Sequence, residues 1–327
     1  MTTAMPQEPA SNSPLVSVMM VTYNQEAYVA TALDSILMQQ VDFDYEIVIG
    51  EDYSTDRTRA IIADYQQRYG SRIRPLLHEK NLGVSHNWVF TMDQCRGKYV
   101  ALLEGDDYWT NPDKLQKQVD FMESHPDFSM CFHNVRVLYE GGANPPASHL
   151  MTQLQQPELT LDDMTREWHV ATGSVMYRRA KMLSLPLWVH DSVVIDLPLL
   201  SLLAQRGRVG FLNEEMGVYR VNSGGVSQTA KKEAYLLRLV RMYARLDEEL
   251  SYAQHRNFMV KTADAYLALA SALNTQQRHA EARKYLLRSL RSRVSVGVVP
   301  RINSFKALAI SVLPGLYNRF YPQRSGT

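Results

Sequence analysis

The sequence predicts an α/β fold: a mostly parallel sheet covered by helices on both faces, followed by a region that is all helix. Two observations carry this. Between Leu15 and Leu103, apolar runs of strand length alternate with stretches whose apolar residues recur at helical spacing, and such alternation requires crossover connections and a parallel sheet. After Val226, every patterned stretch reads as helix. Composition agrees, with 45% hydrophobic and 21% charged residues, a globular balance that excludes wholesale disorder. At roughly 150 residues per domain, the length suggests about two domains.

Residues 1–13 are polar, rich in Pro and Ser, and lack a charged-then-apolar signal pattern, so a disordered tail is expected. Leu15–Thr22 is the first strand. Ala27–Gln39 follows as a helix with Val29, Leu33, Ile36 and Leu37 on one face. Tyr45–Gly50 is a second strand of the buried type, and Ser54-Thr55-Asp56 signals a helix start ahead of Ala60–Tyr65. Ile73–Leu77 is a third strand that Pro75 pushes toward a sheet edge. A helix over Val84–Asp93 and a strand at Tyr99–Leu103 close this part.

From about Phe128 the pattern changes. Met130–Leu138 reads as a strand, followed by a Gly/Pro-rich loop through Pro146 within a poorly patterned connection, Glu140–Gln156. Short strands at Gly173–Tyr177 and Val209–Leu212 bracket a helix at Leu197–Gln205, and Gly224-Gly225 marks a break. Helices are then expected over Glu233–Leu250, Asn257–Leu273 and His279–Arg293. Ala265–Ala270 with Arg278–Leu286 resembles one tetratricopeptide hairpin. A solenoid needs about three such units to bury its faces, so a plain helical appendage is expected.

Lys+Arg 35 against Asp+Glu 34 leaves a net charge of +1, with no overall drive toward nucleic acid. Cys95 and Cys131 are too few for a disulfide framework or a zinc cage and fit a reducing compartment. No stretch approaches the roughly 20 apolar residues of a membrane span, so a cytoplasmic protein is expected. In the stretch Arg291–Arg324, Arg291, Arg293, Arg301, Lys306 and Arg319 are interleaved with apolar residues. Such a stretch suits peripheral contact with the inner face of a membrane; docking onto the rest of the chain or a partner is the open alternative.

In an open parallel sheet, ligands bind beyond the carboxyl ends of the strands. Here those ends carry Thr22-Tyr23-Asn24-Gln25-Glu26, Glu51-Asp52-Tyr53-Ser54-Thr55-Asp56 and Glu104-Gly105-Asp106-Asp107-Tyr108-Trp109. Adjacent Asp106 and Asp107 repel each other unless a cation sits beside them. A hard divalent ion held by one or two carboxylates and by phosphate oxygens describes Mg²⁺ or Mn²⁺. A turn and helix cap ahead of Asn111-Pro112-Asp113 is the alternative. Asp196, a lone acid among apolar residues at a helix start, is either a cap or a base.

Taken in order, Pro14–Val18 through Thr22-Tyr23-Asn24, Gly50–Asp56, Lys80–Val84, Asp106-Asp107, Ala171–Arg178, Asp196–Gly207 and Tyr219–Val226 resemble the family 2 glycosyltransferases, nucleotide-sugar enzymes of the GT-A fold. The resemblance covers roughly Pro14–Ser227. It implies a GT-A domain at 14–227 and a helical C-terminal region at 228–327. The activity implied is inverting, metal-dependent transfer of a sugar from a nucleoside-diphosphate sugar, a UDP-sugar being favoured. The acceptor would be a hydroxyl of a glycan or lipid-linked molecule in surface polysaccharide biosynthesis.

The resemblance also implies residue roles. Thr22, Tyr23 and Glu26 would line the nucleotide pocket, Asp52 would accept a uracil-type N3–H, and Lys80 and Asn81 would contact the base or ribose. Asp106 would hold the ribose and Asp107 the metal, Mn²⁺ or Mg²⁺, with Asp106 as a second candidate ligand. Glu104 takes the first position of the family's D-x-D-type stretch, where Asp is more common. Asp196 stands at the place of the family's Gly-Asp-Trp-type motif and would be the general base, with Asp191 the runner-up. Arg220 would pair with diphosphate oxygens, a surface salt bridge being the alternative, and Asn222 stands where many relatives have His. His86, His133, His169 and His190 form no ligand spacing, although His169 with Trp168 could meet a sugar. A scaffold that binds nucleotide sugars without transferring them is the rival from another class. A sugar nucleotidyltransferase is weaker, because Thr22–Glu26 lacks the glycines of a phosphate loop.

Overall fold

A computed structural model of the chain describes residues 13–140, 149–150, 154, 156–167, 170–222, 233–299 and 302–312. The rest of the tail, Trp168 with His169, Gly224-Gly225 and the stretch after Val312 lie outside the described residues. Two compact units are present. One holds the chain up to Asp191 together with the residues from Ile195 to the end of the last strand; the other holds Ser192–Val194 and the C-terminal helices.

In the first unit the order is β1 (Val16–Thr22), α1 (Val29–Leu37), β2 (Tyr45–Glu51), α2 (Thr58–Tyr69), β3 (Ile73–Leu77), α3 (Val84–Asp93), β4 (Tyr99–Glu104), β5 (Tyr108–Trp109), α4 (Lys114–Ser124), β6 (Phe128–Tyr139), β7 (His149–Leu150), β8 (Glu158–Leu159), α5 (Leu161–Arg166), β9 (Met176–Arg178), α6 (Asp196–Arg206) and β10 (Arg208–Val221). The strands form one sheet ordered β3-β2-β1-β4-β9-β6-β10-β5, with β7 on β6 and β8 on β10. The pairings β3-β2-β1-β4 and β6-β10 are parallel, whereas β9 runs antiparallel to β4 and β6, and β5 antiparallel to β10. The mostly parallel α/β architecture predicted from the sequence is therefore present. β3 is the edge that Pro75 demands.

β1, β2 and β4 are buried on both faces, which is why they read as continuous apolar runs rather than alternating ones. Register then levels their polar ends: Thr22 lies opposite Glu51 and Val21 opposite Glu104. α3 presses on β2 at Gly50, where Asn87 Nδ2 donates to the Gly50 carbonyl at 2.9 Å and Thr91 Oγ1 donates to the Asn87 carbonyl at 2.6 Å. A Cβ at Gly50 would overlap both the Thr91 hydroxyl and the Asn87 side-chain oxygen.

Several elements differ from the sequence expectation. Thr172–Ser174 is a 3-10 turn rather than strand, leaving only Met176–Arg178 extended. The strand expected at Val209–Leu212 runs on to Val221, and its register against β6 shifts around Leu212–Gly217. The short strands β5, β7 and β8 and the helix α5 have no counterpart in the sequence expectation, whereas α4 follows the helix start offered as the alternative at Asn111-Pro112-Asp113.

The second unit contains α7 (Glu233–Glu249), α8 (His255–Thr275), α9 (His279–Ser295) and α10 (Ile302–Val312). Leu236, Leu269, Ala270, Leu273, Ala282, Leu286 and Ala307 form its small core. Ser289 Oγ donates to the Ala263 carbonyl at 2.7 Å, and Asn274 Nδ2 to the Ala307 carbonyl at 3.0 Å. Arg293 is 2% exposed and ion-paired with Asp264, so this residue of the expected basic face is turned inward, as a buried guanidinium requires. Among the described residues, no helix is long and apolar enough to cross a membrane.

The Gly50 contact yields a stability prediction. Gly50→Ala, which forces α3 away from β2, lowers unfolding free energy by about 1–3 kcal/mol in urea denaturation; an unchanged midpoint would contradict the close approach.

Candidate active site

At the end of β1, Thr22 is buried with its Oγ1 unpartnered among the described residues, whereas the following Tyr23 is 47% exposed. Asn24 and Tyr53 both occupy the left-handed region, at φ 51° and 61°, an uncommon conformation for residues other than glycine. Cross-loop bonds hold them there. The Asn24 N–H donates to Ser54 Oγ at 3.0 Å, and the Thr55 N–H donates to Asn24 Oδ1 at 2.8 Å. Glu26 and Asp56 interlock similarly: the Glu26 N–H donates to Asp56 Oδ2 at 3.0 Å, and the Arg57 N–H to Glu26 Oε2 at 2.8 Å. Asp56 also accepts the Thr58 N–H at 2.9 Å, at the start of α2. The Glu26 carboxylate thus stitches the β1 loop to the β2 loop.

Asp52 is buried at the end of β2. Its carboxylate accepts the Leu82 N–H at 2.6 Å and the Gly83 N–H at 3.0 Å, while Asn81 Nδ2 donates to the Asp52 carbonyl at 2.9 Å. Burial pushes the Asp52 carboxyl up in pKa, against those two backbone donors. Asp52 and Asn81 therefore fix the 80–83 turn against β2, and Lys80 stands exposed beside them.

The carboxyl end of β4 holds the strongest electrostatic feature. Asp107 is 4% exposed, and its Oδ1 accepts the Arg220 N–H at 2.7 Å. Asp106 Oδ2 accepts Asn222 Nδ2 at 2.9 Å. Glu104 Oε2 is buried with no hydrogen-bond partner among the described residues. Asp196, the first residue of α6, accepts the Leu197 N–H on Oδ1 at 2.7 Å. Burial, then the charges of Asp106 and Asp196, push Glu104 up to about 8. Burial, then Glu104 and Asp106, raise Asp107 well above the usual carboxylate range. Burial raises Asp106, and it pushes Asp196 up to about 6. The half-buried Tyr219 phenol is pushed up by burial and then by the charges of Asp107, Glu104, Asp106 and Asp196, so all four acids lie within electrostatic reach of one group.

Among the described residues, no three His, Cys, Asp or Glu side chains are gathered closely enough to hold a metal unaided. The donor set nonetheless fits a divalent cation whose shell is completed by ligand oxygens. All the donors are hard carboxylate oxygens, Glu104 Oε2 is an orphan, and the mutual repulsion is what a cation relieves.

The Arg220 guanidinium is ion-paired with Glu140, whose other oxygen accepts the Tyr28 hydroxyl at 2.7 Å. It lies 4.8 Å from the Tyr108 ring centre and 5.2 Å from that of Tyr28. Hydrogen bonding by Tyr28, and then Arg220, keep the Glu140 carboxyl below its ordinary value. The salt-bridge alternative for Arg220 is thus realised, with the side chain half-enclosed rather than on open surface. Asp191 ends the turn Leu187–Asp191 and is exposed. His133 is a neutral core histidine, which burial pushes down to about 3.

Four residues of this site had no assigned role in the sequence: Gln25, whose amide lies against Asp106, Tyr28, Glu140 and Tyr219. Glu140 sits in a connection without pattern. Tyr219 fell within a recognised motif and was readable as a neighbour of the acids only through three-dimensional proximity.

The family profile described as glycosyl transferase family 2 matches residues 17–184. The uncharacterized protein Rv1520 of Mycobacterium tuberculosis is 39% identical over 227 residues, 66% of this chain and 61% of that protein. The chain thus spans less than two thirds of the length of these mycobacterial relatives. TuaG of Bacillus subtilis, provisionally named a teichuronic acid biosynthesis glycosyltransferase, is 27% identical over 76% of this chain and 97% of its own. Among solved structures, Staphylococcus aureus TarS 1-349 in complex with UDP-GlcNAc superposes with a TM-score of 0.55 at 18% identity, covering 90% of this chain and 79% of that one. The mannosyltransferase PcManGT of Pyrobaculum calidifontis, in complex with GDP-Man and Mn²⁺, superposes with a TM-score of 0.55 at 14% identity, covering 95% and 91%. These two share the fold. The profile covers just over half of the chain and takes in the ends of β1, β2 and β4 with Glu104, Asp106 and Asp107, and on that match the chain belongs to glycosyl transferase family 2.

Proposed function

We propose that the chain is an inverting, divalent-metal-dependent glycosyltransferase. It takes its sugar from a nucleoside-diphosphate sugar, a UDP-sugar being favoured, and delivers it to a hydroxyl of a glycan or lipid-linked acceptor in surface polysaccharide biosynthesis on the cytoplasmic side of a membrane. The observation that carries this reading is the gathering of Glu104, Asp106, Asp107 and Asp196 at the carboxyl end of the sheet, where burial raises the pKa of each and neighbouring carboxylates raise Glu104 and Asp107 further. The nucleotide sugars bound by TarS and PcManGT support the donor class, and the name of TuaG supports the product class.

Asp107 and Glu104 would hold the cation, Mn²⁺ or Mg²⁺, with Asp106 turned to the ribose. When bound, the cation supplies Lewis-acid neutralisation of the departing diphosphate. Arg220, on leaving Glu140, offers its forked donors to diphosphate oxygens. Tyr23 presents an exposed ring for base stacking beside Thr22, and Glu26 fixes the loop that carries both. Asp52 has one backbone donor on each oxygen, so each retains a lone pair for a uracil N3–H, with Asn81 and Lys80 flanking. Asp196 receives the acceptor hydroxyl proton at Oδ2, since Leu197 occupies Oδ1. Its pKa of about 6 leaves it ionised at neutral pH yet basic enough to accept the proton. Attack from the face opposite the diphosphate inverts the anomeric centre.

Thermal-shift titration tests the donor site directly. UDP should raise the melting temperature further when MnCl₂ is present, and Asp107→Asn should abolish that metal-dependent increment; no stabilisation of the native chain by UDP, TDP or GDP would refute the reading. Asp196→Asn should leave the UDP shift intact while lowering transfer by about 10²–10⁴-fold, which a non-transferring scaffold could not show. Turnover of the native chain should fall as pH drops through about 6, because only the ionised form of Asp196 accepts a proton; a profile flat to pH 5 would remove Asp196 as the base. Glu140→Gln, which frees Arg220 from its competing carboxylate, should tighten UDP binding by about fivefold, the worth of a partly exposed ion pair of about 1 kcal/mol. Isothermal titration calorimetry measures this, and weaker binding would show that Glu140 helps to form the site.

A further inference from the structure

Lys114 is the least expected residue in the molecule. It opens α4, is fully buried, and its Nζ has no hydrogen-bond partner among the described residues. Burial of an ammonium group without a partner costs several kcal/mol, and an apolar side chain of the same length would carry no such cost. Its nearest aromatic group is Trp109, whose ring centre lies 3.7 Å from Nζ, an N–H-to-ring contact at close range. Trp109 is itself buried, and its Nε1 donates to the Gly173 carbonyl at 2.7 Å.

One helical turn after Lys114, on the same face of α4, Gln118 is also buried, and its Nε2 donates to the next carbonyl, that of Ser174, at 3.0 Å. Two side-chain donors from separate elements thus grip consecutive carbonyls of the turn Thr172–Ser174. The turn in turn abuts the acids. A Cβ at Gly173 would lie 3.2 Å from Leu103 Cδ1 and 3.5 Å from Asp107 Oδ2, so the bare backbone packs on the side chains of β4 and of Asp107. The Thr172 side chain lies against Glu104 and favours its ionised form. The next residue, Val175, accepts the Leu102 N–H at 2.9 Å, tying the turn to β4 itself.

We infer that Lys114, Trp109 and Gln118 form a buried brace that sets the position of the 172–174 turn, and through it the orientation of Glu104 and Asp107 toward the cation. They are positioning residues, and the inference rests on the donor-site reading above. Outer partners of this kind typically change metal affinity by about 10–100-fold when removed.

The test uses the full chain, UDP and MnCl₂, and reads the Mn²⁺ concentration that gives half of the maximal UDP-dependent thermal shift. Trp109→Phe keeps a ring face under Lys114 and deletes the N–H; Lys114→Met keeps length and deletes the amine. In each folded variant that midpoint should rise by about tenfold or more, while the metal-free UDP shift stays as in the native chain. A purely structural role lowers the melting temperature but leaves the Mn²⁺ midpoint where it was, and that result in either variant overturns the inference. If the native chain shows no Mn²⁺-dependent UDP shift, the donor-site reading fails and this inference with it. A native shift that survives both substitutions removes the brace alone.

Discussion

Repulsion among carboxylates at one sheet end organises the rest of this molecule. Glu104, Asp106, Asp107 and Asp196 are brought together in a poorly hydrated place where their charges oppose one another, and a fold selected only for stability would not gather them. The neighbouring groups answer that strain. The Arg220 backbone N–H meets Asp107, Asn222 meets Asp106, the Leu197 N–H meets Asp196, and Thr172 leans on Glu104. These contacts reduce the repulsion without removing it, since Glu104 and Asp107 are still raised by their neighbouring carboxylates.

The loops on the nucleotide side obey a related constraint. Asn24 and Tyr53 hold backbone conformations that cost energy locally, and they persist because the β1 and β2 loops are cross-linked by Ser54, Thr55, Glu26 and Asp56. Asp52 performs the same service for the 80–83 turn. Residues expected to meet a ligand are thus also the residues that set loop shape. Substitution at Asp52 or Glu26 would therefore disturb loop shape together with any ligand contact.

Much of this was readable from the chain alone, for physical reasons. Strands buried on both faces leave continuous apolar runs in β1, β2 and β4, and the polar residues that end those runs have to lie at one sheet edge. Adjacent Asp106 and Asp107 were conspicuous for the same reason. Asp196 was ambiguous locally, since a cap and a base call for the same residue type, and only the resemblance to the family separated them; in the structure one oxygen does bind the following backbone N–H. Other features were hidden. Glu140 acquires its partners, Tyr28 and Arg220, across gaps of 112 and 80 residues. The turn at Thr172–Ser174 runs directly into the strand-like Val175-Met176-Tyr177, and the donors that meet its carbonyls, Trp109 and Gln118, lie far off in the sequence. Nothing in the sequence around Lys114 marks it as buried.

The irregular pairing in β10 has an evolutionary corollary. The strand stays parallel to β6 over its length, yet its register slips between Leu212 and Gly217 before Tyr219, Arg220 and Val221 arrive beside the acids. Because side chains alternate between faces, one residue gained or lost within that slip would swap Tyr219 and Arg220 to opposite sides. Exchanges of residue type, or insertions in pairs, would preserve that facing, so a polar stretch that looks dispensable in the sequence is constrained in the parity of its length.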